Sequence, residues 1–146
     1  LAGKPLFIDK PAAGTLADLL AIAELAKRHN VPCFSSSSLR FSPGILEFRG
    51  ENDKIGKVTG CNAWGPASLE PHHPDLFWYG IHGCEVLYTV MGEGCQTVTR
   101  VQTDHTEYVT GVWNDGRVGT FRGLRSPNKS GYGGFVFGTK GMSPTV

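Results

Sequence analysis

Residues 5–38 read as strand, helix, strand, and that order constrains the chain more than any other feature. Leu6-Phe7-Ile8 is a short apolar run bracketed by Pro5 and Pro11, consistent with a buried strand that stops where proline removes a donor. Thr15 is placed to cap a helix by accepting from the backbone amide of Asp18. Leu16, Leu19, Leu20 and Ala23 follow at helical spacing, so this stripe is expected to be buried and the helix to end near Asn30, ahead of Pro32. Val31 to Phe34 opens a second strand that runs into Ser35–Ser38. Two strands joined through a helix imply a parallel, right-handed crossover. Such a unit leaves one sheet face bare and cannot stand alone, so the sheet to which it belongs is expected to lie outside this chain.

After Arg40-Phe41-Ser42-Pro43 the pattern changes. Ser42 with Pro43 behind it predicts a short helix to about Phe48, and residues 50–56 form a polar turn. A strand is expected over 57–64, a loop over 66–74 and a helix over 76–91, ended by Gly92-Glu93-Gly94. Strands then follow over 95–103, 107–113, 117–122 and 133–139. Asn114-Asp115-Gly116 joins two of them, because Asn and Gly tolerate the positive φ of a tight hairpin. The expected fold is therefore α/β in front and α+β behind, an open, mainly antiparallel sheet with a packed helix, with the change near residue 40.

With 146 residues, 40% of them hydrophobic and 18% charged, the chain belongs to the globular class. Its net charge of +1 argues against nucleic acid or an anionic membrane surface as the main partner. No apolar run approaches the roughly 18 residues of a membrane span. No signal-peptide pattern is visible. Cys33, Cys61, Cys84 and Cys95 lack C-x-x-C spacing and are read as reduced thiols.

Lys10 follows the first strand directly, at the carboxyl end where open α/β sheets place their ligand crevices. A lysine there can stabilise developing negative charge on a substrate oxygen; a solvated loop lysine is the plain alternative. In residues 76–91, Ile81, Cys84, Tyr88 and Met91 share one helical stripe, expected to be core. Trp78, His82, Glu85 and Thr89 share another. A carboxylate one turn from a histidine can orient the ring and raise its pKa, which suits general acid/base work; a core histidine bonded to a backbone carbonyl is the alternative. Gly80 and Gly83 beside His82 imply close approach by a cofactor or a strand. His72, His73, Asp75, His82, Glu85 and Cys95 are suitable ligand types, yet their spacings match no zinc pattern and His72 and His73 are expected to point apart. No metal is expected. Gly92-Glu93-Gly94 and the glycines around Tyr132 read as turns, since neither joins a strand to a following helix.

Three motifs together resemble the Gfo/Idh/MocA oxidoreductases: PLFIDKP resembles their E-K-P segment, FWYGIHGCEVLYTVMG their G-x-H-x-x-D helix, and Arg40-Phe41-Ser42-Pro43 their R-F-x-P domain junction. Their order agrees with the family across essentially the whole chain. The resemblance implies residues 1–40 as the C-terminal part of a dinucleotide-binding Rossmann domain and 41–146 as a substrate and oligomerisation domain. It implies NAD or NADP as cofactor, a sugar-like or polyol substrate, and a homo-oligomer formed through the antiparallel sheet. Lys10 would touch both nicotinamide ribose and substrate hydroxyl, with His82 as acid/base partner. Asp9, Pro11 and Arg40 would line the cofactor crevice, and Trp78 and Glu85 the substrate side. Asp9 stands where the family has Glu, and Trp78 where many members carry Asp. The pyrophosphate-binding start of the Rossmann domain is not in this sequence, so the chain is expected to be a fragment of an enzyme, inactive alone. The parent is expected in the cytoplasm, with an exported form as the alternative. A glycosidase-type use of NAD and a non-catalytic sensor or interface module are the alternatives.

Overall fold

The computed structural model describes residues 3–125 and 131–146. Its first part is the expected unit: β1 (Leu6–Asp9), α1 (Leu16–Arg28) and β2 (Cys33–Ser36). The two strands pair in parallel, Leu6 opposite Cys33 and Asp9 opposite Ser36. The Thr15 hydroxyl accepts from the Asp18 amide at 3.1 Å, and α1 ends at His29 with Asn30 at a φ of 53°.

The apolar stripe of α1 is not buried as expected. Leu16 is 67% exposed, and Leu19 and Leu20 are also exposed. Two strands are too narrow to cover a helix. Between α1 and the β1–β2 pair runs an open groove of about 600 Å³, lined among others by Ile8, Leu16, Leu19, Ile22 and Cys33. On the opposite face Phe7 and Phe34 pack on one another, ring centroids 5.1 Å apart.

A 3₁₀ turn (Ser38–Phe41) leads into α2 (Pro43–Glu47), with Ser42 as N-cap and Phe48 at the C-cap. The second sheet holds β3 (Val58–Pro66), β4 (Cys95–Gln102), β5 (Thr106–Trp113), β6 (Val118–Leu124) and β7 (Gly133–Gly138), in the order β4-β5-β6-β3-β7. The pairings β4–β5, β5–β6 and β3–β7 are antiparallel; β3–β6 is parallel. The fold is thus the expected α/β front with an open, mainly antiparallel sheet behind it. The predicted hairpin is present, with Gly116 at a φ of 85°.

The helix that crosses this sheet, α3 (Gly80–Met91), begins later than the predicted residue 76: Asp75–Phe77 forms a separate 3₁₀ turn. The turn folds back so closely that a Cβ at Gly80 would lie 2.9 Å from the Leu76 Cβ. The core stripe also differs from expectation. Gly83, Val86, Leu87 and Val90 are buried with Met91, whereas Ile81 and Cys84 are half-buried and Tyr88 is exposed. The reason lies in the sheet. Phe121 of β6 presses against Gly83, where a Cβ would meet its ring at 2.1 Å, and this contact sets the rotation of the helix. At Gly83 the close neighbour is thus a strand, and at Gly80 it is Leu76 of the preceding turn. Cys61, Ala63, Phe121 and Val136 line the sheet face under α3, and α2 adds Ile45 and Phe48. Burial of a side chain such as Phe121 contributes about 1.5–3 kcal/mol.

Beyond the hydrophobic core, ions tie the edge of the sheet to the start of α3. Glu107 is 0% exposed and accepts from Arg100 at 2.5 and 2.6 Å and from Arg125. Arg100 also reaches Asp75 at 2.8 Å, and holds its carboxyl below the ordinary value for aspartate.

Candidate functional site

Three chain segments meet where β1 and β2 end. β1 runs out at Asp9 and passes, through a cis Lys10–Pro11 peptide, into the loop before α1. β2 runs out at Ser36 and turns at Ser37 into the 3₁₀ segment. The third segment is the 3₁₀ turn and first turn of α3, residues 75–85.

Lys10 reaches across to this third segment. Its Nζ donates to the Trp78 carbonyl at 3.1 Å and lies 4.7 Å from the Trp78 ring centroid and 5.0 Å from that of Tyr79. An ammonium over two aromatic faces gains from both ring quadrupoles. Trp78 is backed in turn by His73, ring centroids 4.5 Å apart.

His82 sits in the first turn of α3, between the rings of Tyr79 and Tyr132 at 5.7 and 5.2 Å. Its Nδ1 lies 2.7 Å from the Ser37 hydroxyl. Burial pushes the His82 pKa down, the charge of Lys10 pushes it further, and Glu85 and Asp9 oppose both without winning. Burial, with Tyr79 adding, raises the Tyr132 phenol to about 12, so it is protonated and able to donate throughout the neutral range.

The expected roles of the carboxylate and of the two neighbouring histidines need correction. Glu85 does not orient the histidine. Its carboxylate accepts from the Ser37 amide at Oε1, 3.1 Å, and from Arg40 Nε at Oε2, 2.7 Å, so each oxygen is engaged on the β2 side. The ring partner is Ser37, and the net shift of His82 is downward. Arg40 is an ion-pair partner of Glu85 with a half-exposed side chain. His72 and His73 do not point apart: the Nδ1 of each lies within 2.8 Å of Glu70. These contacts, His73 first, hold the Glu70 carboxyl down at about 2. Among the described residues, no group of three His, Cys, Asp or Glu is arranged to hold a metal ion.

Of the remaining expected site residues, Asp9 is exposed, close enough for its charge to act on His82, and Pro11 lines the groove under α1. Sequence reasoning missed Ser37, Tyr79 and Tyr132. Ser37 had a usable signal in its position just past β2, at the same sheet end as Lys10. Tyr132 had none, because it lies fifty residues along the chain from the ring it packs on. The four cysteines are unpaired. Among the described residues, no helix is long and apolar enough to cross a membrane.

The arrangement offers a cation and a neutral imidazole beside one another, with a phenol at hand. It can hold a hydroxyl or carbonyl oxygen, stabilise negative charge on it and exchange its proton.

No family model and no curated protein matches the chain. Solved structures do. GenD2 from gentamicin A biosynthesis, in complex with NAD, is similar over 97% of this chain and 47% of its own, with a TM-score of 0.82 and 16% identity. An NAD binding oxidoreductase from Klebsiella pneumoniae is similar over the same shares, at 0.80 and 19%. A probable dehydrogenase from Thermotoga maritima gives 0.77 and 25% over 97% of this chain and 50% of its own. The chain thus spans about half the length of the structures it matches, and their architecture agrees with the one described above.

Proposed function

We propose that this chain is part of a Gfo/Idh/MocA-type oxidoreductase that transfers hydride between NAD or NADP and a secondary alcohol of a sugar, polyol or related compound. The observation that carries this reading is that Lys10 and His82 flank one ring: the ammonium, anchored on the Trp78 carbonyl at 3.1 Å, lies 5.0 Å from the Tyr79 centroid, and the His82 ring lies 5.7 Å from it. Residues 1–40 then contribute the last strand-helix-strand of the dinucleotide domain and residues 41–146 the substrate domain.

On this reading Asp9, Lys10, Pro11 and Arg40 would hold such a cofactor, a placement supported by the common end of two parallel strands and by Lys10 and Pro11 lining the groove beside them. When bound, the nicotinamide supplies or accepts the hydride. Lys10 stabilises the substrate oxygen as charge develops on it, and His82 exchanges that oxygen's proton. The rings of Trp78 and Tyr79 pack beside the Lys10 ammonium, and those of Tyr79 and Tyr132 beside the His82 imidazole. Glu85 acts at one remove, by fixing Ser37 and Arg40.

The same reading assigns the open face of the second sheet to a second copy of the chain. Cross-strand register places Val101, Tyr108, Val112 and Val118 on that face, all exposed.

The test uses the full-length protein. NAD(P)-dependent oxidation of a panel of polyols and sugars is followed by NAD(P)H absorbance, in wild type and in Lys10→Met and His82→Gln. The reading expects a fall in kcat of at least about a hundredfold in each variant, in the range ascribed to a lost acid/base group or oxyanion donor. Unchanged turnover in both variants would sink it in favour of a non-catalytic module. Sugar cleavage without net NADH release would point to the glycosidase-type use instead.

A further inference from the structure

Ser37 is wholly buried, and two groups lie at hydrogen-bond distance from its Oγ among the described residues. One is the Leu39 amide at 3.2 Å, which carries a hydrogen and donates. The other is His82 Nδ1 at 2.7 Å. The hydroxyl's own hydrogen therefore has Nδ1 as its acceptor, since a buried donor is rarely left unmade.

We propose that Ser37 sets the tautomer of His82, donating to Nδ1 so that the neutral ring carries its single proton on Nε2, the nitrogen turned away from Ser37. Ser37 is in this sense a positioning residue: it acts through the ring.

The surroundings support this polarity. The carboxylate on the same helix, Glu85, is occupied by the Ser37 amide and Arg40, so it does not compete for a ring hydrogen. Lys10 and Asp9, at the end of β1, are near enough for their charges to act on the ring, and Tyr79 and Tyr132 pack edge-on against it. A second ring proton would need Nδ1–H to point at Ser37, turning its hydroxyl from donor to acceptor and leaving the hydroxyl hydrogen without a partner among the described residues. Geometry thus favours the same neutral ring that burial favours.

A consequence follows for the proposed reaction, and it rests on the dehydrogenase reading above. The resting ring meets a substrate oxygen as a hydrogen-bond donor through Nε2–H. To take an alcohol proton at Nε2, the ring must first release the proton held there to solvent and gain one from solvent on Nδ1, with the Ser37 hydroxyl turned over to accept from it.

The test is nitrogen-15 NMR of the ring in the full-length protein at about pH 8, where an ordinary histidine is neutral, with the His82 signals identified by their loss in His82→Gln. The expected spectrum has Nδ1 at an unprotonated, pyridine-like shift and Nε2 at a protonated, pyrrole-like one. Ser37→Ala moves Nδ1 toward the averaged shift of mixed tautomers, and Ser37→Thr, which keeps the hydroxyl, restores the wild-type pattern. A protonated Nδ1 in wild type overturns the proposal, as does a Ser37→Ala spectrum identical to wild type. If Ser37→Ala fails to fold, the wild-type and Ser37→Thr spectra still decide. Neither cofactor nor substrate is needed, so loss of the dehydrogenase reading would leave this result interpretable.

Discussion

His82 carries a pH dependence that can be read from its environment. Its pKa in the fold is below the ordinary 6.5, chiefly through burial and secondly through Lys10, so the folded state binds fewer protons at this site than the unfolded chain. Its contribution to stability is therefore complete above about 6.5 and is lost as the pH falls below that value toward the folded pKa. Urea unfolding at pH 7.5 and 5.5 should show a lower midpoint at the acid pH, and His82→Gln should reduce that difference. Lys10 and His82 could be singled out as candidates from the sequence because a strand end and a helical stripe are local signals. Ser37 is bonded to a ring 45 residues away, and such a pairing leaves no mark on spacing. The same holds for Glu85: its helical phase with His82 was correct, yet phase says nothing of the Ser37 amide and Arg40 that engage its carboxylate.

At the scale of elements, the packing of α3 depends on a missing side chain. Gly83→Ala would raise helix propensity by about 1 kcal/mol, but the new Cβ would stand 2.1 Å from the Phe121 ring, and overpacking of this kind costs about 1–3 kcal/mol. Net destabilisation is expected, measurable as a lower denaturation midpoint with an unchanged m-value, and Phe121→Leu in the same chain should recover part of it. The second weak point is Glu107. Glu107→Gln leaves Arg100 and Arg125 without their shared buried carboxylate, and breaking a buried pair costs about 3–5 kcal/mol; thermal unfolding should show the loss, with Asp75 and the turn before α3 loosened in hydrogen exchange. Helix boundaries and caps were readable from Thr15, Ser42, Pro43 and Gly92. The buried stripe of α3 was not, because alternation on a helix that is apolar on most sides does not say which side the sheet will meet. The stripe of α1 was correctly seen as apolar, while its burial requires more sheet than the two strands of this chain provide.

The whole molecule has two sheets of different character, and the change near residue 40 was legible because helix-strand alternation gives way to hairpin signals. On the large sheet the open face is expected to meet a second copy. Sedimentation of the full-length protein should show an oligomer, and Val112→Lys with Val118→Lys, both outward and exposed in wild type, should shift it toward monomer without changing the far-UV spectrum. What no local signal announced is the interior place of β3, between β6, with which it runs parallel, and the edge strand β7. Hairpin turns specify β4, β5 and β6 as neighbours. Nothing near residues 58–66 specifies partners so distant along the chain.

That insertion has a consequence for the birth of the protein. β3 bears Cys61 and Ala63 of the core, yet Gly60 pairs with Val118, nearly sixty residues later. At roughly 5–20 residues per second on the ribosome, β3 waits several seconds with both edges open. The meander of β4, β5 and β6 can form before β3 is clasped, and during that interval the nascent chain presents an unpaired apolar strand to whatever chaperone meets it.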